Sequence, residues 1–114
     1  MAIPTGSGSE VLKSITQAIT SAYTLTPTQH HIYTILNIVL KNEHDATSTF
    51  DIEVSNDSGT NYVWLIENHS FVQDATFVWS DRIVLYDNTA RLRITGSGGN
   101  DLQFCINYID QNWS

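Results

Sequence analysis

His30 and His31 stand side by side, His44 precedes Asp45 and His69 precedes Ser70. Together with Cys105, these are the residues that could bind a metal or serve a nucleophile. A zinc site needs three or four converging ligands, normally announced by paired short spacings. On a strand, His30 and His31 would face opposite sides and could not chelate one ion, and nothing fixes the distance of His44 from either. The histidines therefore read as solvated or hydrogen-bonded, and no metal is expected. No Gly-x-Ser-x-Gly elbow is present, so Ser70 beside His69 reads as a loop dipeptide. Cys105 lies within Leu102-Gln103-Phe104-Cys105-Ile106 and reads as a small buried apolar residue, because a mid-strand position argues for burial over reactivity. Gly96-Ser97-Gly98-Gly99 precedes a strand pattern and not a helix, so it is no phosphate loop. Asp51 and Glu53 line one face of a strand, where they would solvate it; a glycosidase would also need a cleft. No catalytic residue and no cofactor is expected, and the chain does not read as an enzyme.

What must position any remaining function is a β-domain. The clearest stretch is Thr49-Phe50-Asp51-Ile52-Glu53-Val54-Ser55, where Phe50, Ile52 and Val54 would face a core while Thr49, Asp51 and Glu53 face water. Strands are predicted at 11–20, 22–25, 31–41, 47–55, 61–67, 75–79, 82–86, 90–95 and 101–109. Segment 11–20 also fits a helical stripe of Val11, Ile15, Ala18 and Ile19, but its Ile, Thr and Ser content favours extended chain. In 31–41, Ile32, Leu36, Ile38 and Leu40 fall on one face and Tyr33, Ile35 and Val39 on the other, as in a central strand covered on both sides. Asn56-Asp57-Ser58-Gly59 supplies a turn with Gly for positive φ. Strands 90–95 and 101–109 read as a pair joined by the turn 96–100. Trp64 and Trp79 read as core or half-core residues. Short strands with tight turns describe a single antiparallel β-sandwich, jelly-roll or Ig-like, over residues 11–114. Residues 1–10, rich in Gly, Ser and Thr, form an extended N-terminal arm.

Composition narrows the function further. The chain has 114 residues, enough for one domain that buries about 65% of its unfolded surface. Only 15% of residues are charged, against about 25% in ordinary globular proteins. A surface of Thr, Ser, Asn and Gln loses less on desolvation and suits packing against other subunits. Twelve acidic against five basic residues give a net charge of −7. The basic residues form no concentrated footprint, so nucleic acid is not an expected partner. No apolar run approaches the roughly 20 residues that span a bilayer, and the start has neither the basic nor the apolar region of a secretory signal. With Cys105 alone, no intramolecular disulfide can form. The Asn-x-Ser triplets at Asn56, Asn68 and Asn112 read as chance products of composition. Trp113, penultimate in the chain, must fold back onto its own domain or enter a neighbour's pocket.

Three segments carry a resemblance: Ile3-Pro4-Thr5-Gly6-Ser7-Gly8-Ser9-Glu10-Val11-Leu12-Lys13, His31-Ile32-Tyr33-Thr34, and Tyr108-Ile109-Asp110-Gln111-Asn112-Trp113-Ser114. With these, the chain resembles small virion structural proteins of tailed bacteriophages, the β-sandwich proteins that decorate capsids or attach to necks and tails. The resemblance implies a non-enzymatic assembly role in the virion, after assembly in the host cytoplasm. It implies contact with the major capsid protein or other virion proteins, and a homo-oligomer with a trimer favoured. Capsid decoration or cement is the leading expectation, and a neck, tail, baseplate or fibre-base component is the alternative. A carbohydrate-binding module is a third reading, with Tyr62 and Trp64 as its one plausible aromatic row. The expected protein-contacting residues are Ile3, Pro4, Thr5, Val11 and Leu12 near the start, and Tyr108 and Trp113 near the end.

Overall fold

The computed structural model describes residues 10–19, 22–96 and 102–113. The described residues form nine strands: β1 (Glu10–Ile19), β2 (Ala22–Leu25), β3 (His31–Asn42), β4 (Ser48–Ser55), β5 (Val63–Phe71), β6 (Thr76–Trp79), β7 (Ile83–Tyr86), β8 (Arg91–Gly96) and β9 (Leu102–Asn112). Among them no helix is long and apolar enough to cross a membrane. The segment read as strand against helix, 11–20, is β1. Ile3, Pro4 and Thr5 of the predicted arm lie outside the described residues, as does the turn 97–100.

The first sheet runs β1-β9-β3, with β6 and β7 following one another along the far side of β3; the second runs β2-β8-β4-β5. Every pairing is antiparallel. The chain crosses between sheets at each step except β4 to β5 and β6 to β7, which is the wrap of a jelly roll. Between the sheets lie Ile35, Ile38, Leu40, Phe50, Ile52, Leu92, Ile94, Leu102 and Ile106, all essentially without exposure. Aromatic pairs close the layer: Tyr33 with Tyr108 at 4.7 Å between centroids, Tyr23 with Phe104 at 4.8 Å, and Phe50 with Phe71 at 4.9 Å.

Several expectations are corrected. β8 and β9 are not a hairpin: β8 pairs with β2 and β4, and β9 with β1 and β3. Their apolar rows face each other across the core, which alternation cannot tell apart from lying side by side. β3 is not covered on both faces. A bulge at Leu36 inserts one residue between Ile35 and Asn37, so Tyr33, Ile35, Ile38 and Leu40 all reach the core. β5 has a positive φ at Asn68 and an irregular pairing between Ile66 and His69, beyond which it resumes. His69-Ser70 is therefore strand and not loop. Glu53 keeps the outward face expected of it but is buried under the Arg93 guanidinium and not solvated, while Val54 is only half-buried. Trp64 is exposed and Trp79 half-buried. Cys105 is not in the core; core-facing positions on β9 are Phe104, Ile106 and Tyr108, which puts Cys105 half-exposed on the outer face. The turn at 56–59 is as expected, with φ of 84° at Gly59 and Asp57 accepting from the amide of Asn61 at 2.9 Å.

Candidate functional site

Four segments meet at one end of the first sheet: the start of β1, the start of β3, the end of β7 and the end of β9. The register sets their side chains in rows across the outer face. Leu12, Ile109, Thr34 and Val84 form one row; Glu10, Gln111, Ile32 and Tyr86 form the next. Leu12 is 71% and Val84 60% exposed. β-branched and leucine side chains form good strands, but here they leave a strip of apolar surface in water. Among the described residues β1 is also an edge strand, paired to β9 on one side only. One side of it thus keeps backbone groups that another strand could pair.

Trp113 extends the strip. Its ring stacks on Tyr86, its edge meets the ring of His30 at 5.6 Å, and its amide donates to the His30 carbonyl at 3.1 Å. Of the two fates open to it, folding back onto its own domain is the one observed, and it remains half-buried. His30 is in a turn with φ of 68°, fixed by donation of its amide to Asp87 at 3.0 Å. The two adjacent histidines thus diverge through a turn and not through strand alternation. The backbone hydrogen bond from His30 holds the Asp87 carboxyl below the usual range.

Beneath the strip, on the core-facing side, Asp110 is 4% exposed. It accepts from Lys13 Nζ at 2.7 Å and contacts His31 Nδ1 at 2.5 Å. Burial pushes the Asp110 carboxyl up, but the hydrogen bonds from Lys13 and His31 outweigh it and hold the pKa below the usual value. The same contact raises Lys13. Burial raises the hydroxyl pKa of neighbouring Tyr108. This cluster fixes β1, β9 and β3 to one another. Among the described residues, no three His, Cys, Asp or Glu side chains converge to hold a metal.

The expected contact residues therefore separate. Leu12 and Trp113 lie in the exposed strip, whereas Val11, about half exposed, pairs with Asp110 and points to the opposite face of β1. Tyr108 is buried against Tyr33. Val84, Tyr86, Ile109 and Ile32 were missed, because only the register reveals that they share a face with Leu12. Further along the same outer face, Thr16, Ala18, Val39, Lys41 and Cys105 line a shallow groove of about 440 Å³.

No family model matches the chain, and no curated protein sequence does. Solved structures match it in fold. A module of a Clostridium perfringens protein, CpGH89CBM32-6, aligns with TM-score 0.52 and 10% identity over 96% of this chain and 97% of its own. The Drosophila NLP core, described for pentamer formation and histone binding, aligns with TM-score 0.52 and 10% identity over 87% of this chain and 97% of its own. A pentameric capsid protein from metagenomic phage sequences aligns with TM-score 0.44 and 13% identity over 87% of this chain and 61% of its own. The chain spans only 17% of a Clostridium thermocellum xylanase that also matches. At these identities the likeness is one of fold alone, a β-sandwich.

Proposed function

We propose that this chain is a non-enzymatic structural protein of a tailed-phage virion, acting as a capsid decoration or cement protein that bridges neighbouring capsid subunits. The observation that carries the reading is the strip Leu12, Ile109, Val84, Ile32, Tyr86 and Trp113, beside the unpaired side of β1. Exposed apolar surface of this kind costs solubility unless something covers it. A rigid sandwich with such a strip and an open edge is suited to adding interface between subunits already in place. Its partners on this reading are the major capsid protein and further copies of itself, with a trimer favoured. The low charge of the surface lowers the cost of drying such contacts. A neck or tail position would use the same surface and is the second reading.

The experiment is binding of labelled protein to intact particles, followed by mapping of the label. Label spread over the head supports decoration, and label confined to neck or tail replaces it with the second reading. Leu12→Asp and Val84→Asp variants should keep their thermal melt yet lose particle binding. Deleting residues 2–10 should also weaken binding without unfolding the domain, through loss of an extended arm able to pair with a partner's sheet edge. Variants that bind as well as the parent chain would refute the assembly reading of this surface.

A further inference from the structure

We propose that the outer face of the second sheet, on the opposite side of the sandwich from the assembly strip, binds a neutral saccharide chain. The register lays Thr24, Arg93, Glu53 and Trp64 in one row across β2, β8, β4 and β5. At one end of the row Trp64 is 56% exposed. An indole held on a strand with its ring in water adds little to the core and presents a flat apolar face outward.

Next to it the row is polar and fixed. Glu53 is 5% exposed and receives Arg93 Nε at 3.3 Å and Nη2 at 2.7 Å, with Thr95 Oγ1 at 3.4 Å. The Arg93 guanidinium carbon also lies 3.8 Å from the centre of the Tyr62 ring. One edge of the guanidinium is thus held by a carboxylate fork and one face by an aromatic ring. Nη1 takes no part in the fork and keeps N–H donors for another acceptor. An ion pair whose carboxylate is buried is an expensive way to stabilise a sheet, and fixing a donor in place is a better account of it.

A pyranose ring has an apolar C–H face and a rim of hydroxyls. The Trp64 ring suits the first, and the fixed Arg93, Glu53 and Thr95 groups suit the second, one and two strands away. Charge selects the class of sugar. Arg91 and Arg93 on this face are matched by Asp51 and Glu53, and the chain carries −7 overall. A polyanion would meet no net attraction here. A protein partner is disfavoured by the row itself, in which Trp64 is the sole apolar member; a protein interface dries a larger apolar centre. The proposal does not rest on the assembly role, which uses the other sheet.

The test is calorimetric titration of the full chain with linear neutral oligosaccharides built on glucose, galactose and mannose, and with polygalacturonate as the anionic probe. At least one neutral oligosaccharide should bind, and Trp64→Ala should weaken it about tenfold or more. Because Trp64 is exposed, that variant should keep its melt. Arg93→Lys keeps the charge but loses the fork, and should weaken binding as well; Trp113→Ala should leave it unchanged. The proposal is overturned if no neutral oligosaccharide binds, if only polygalacturonate binds, or if Trp64→Ala binds as tightly as the parent. Binding to cells that survives periodate but is lost on protease treatment would assign this face to a protein partner and equally overturn it.

Discussion

The rings of Trp113 and Tyr86 lie 4.9 Å apart and within 13° of parallel. This contact ties the end of the described chain to β7, a strand that among the described residues otherwise pairs only with β3. It also makes a flat aromatic step at the rim of the exposed apolar strip. A residue with both roles should report in two ways. Trp113→Ala should cost on the order of 1 kcal/mol through the lost stacking, a fall of about 4 °C in melting temperature. It should also weaken self-association or particle binding, read by light scattering. A lowered melt with unchanged assembly would restrict Trp113 to its own domain.

Glu53 and Arg93 form a pair of unequal burial, with side chains 7% and 34% exposed. Removing the carboxylate alone leaves the guanidinium without its fork. The expected cost of Glu53→Ala is about 2 kcal/mol, between the values for exposed and buried pairs. Glu53→Ala combined with Arg93→Met should recover part of that loss, since no unpaired charge remains. Denaturant melts of both single variants and the double variant test the coupling.

Strand positions were legible because alternation of Phe50 with Ile52, or of Leu102 with Phe104 and Ile106, is imposed by a sheet with one dry face. Partners were not legible, since β8 and β9 carry the same alternation whether paired in one sheet or stacked between two. Faces failed wherever the backbone inserts a residue. Leu36 in β3 shifts the parity for everything after it, and β5 pairs irregularly near Asn68; Glu53 keeps the outer face and is buried there under Arg93. Cys105 was misplaced although alternation with Phe104 and Ile106 already puts it on the outer face, whereas the exposure of Trp64 needed the register of β5. The exposed apolar strip was legible only at Leu12 and Trp113; its other members belong to β3, β7 and β9.

The bulge itself is testable. Deleting Leu36 would restore strict alternation with Tyr33, Ile35, Ile38 and Leu40 all on the core face and opposite the same β9 partners. The deletion variant should therefore fold, with a circular-dichroism spectrum like the parent's. A deletion variant that fails to fold would show that β3 needs the extra residue for its pairing and not only for the parity of its core side chains.

Cys105 offers a simpler check of the outer face. Its sulfur lies 3.5 Å from Ser14 Oγ and 3.8 Å from Asn107 Oδ1, in the half-exposed groove. A thiol reagent should therefore modify the folded protein without denaturant, and the modification should be slowed in any assembly that covers this part of the sheet. Reaction only on unfolding would place the residue back in the core.

Acid stability should follow Asp57 and Asp110. Hydrogen bonding by the Asn61 amide, then by Ser55 and the Asn61 side chain, lowers Asp57 from 3.8 to about 2. Asp110 is also held below 3.8, burial being outweighed by Lys13 and His31. A carboxyl whose folded pKa is depressed stabilises the fold above its unfolded value and loses that contribution as pH falls through the folded one. Both terms are thus fully present at neutral pH and fade below 3.8, Asp57 down to about 2. Lys13 works in the other direction: its raised pKa keeps its contribution intact below 10.5 and loses it only above. Melting temperature should accordingly be flat near neutrality and fall in acid. Asp57→Asn and Asp110→Asn should each lower the neutral melt and flatten the acid slope. If the slope is unchanged in both variants, other carboxylates govern acid unfolding and neither contact carries the stability assigned to it.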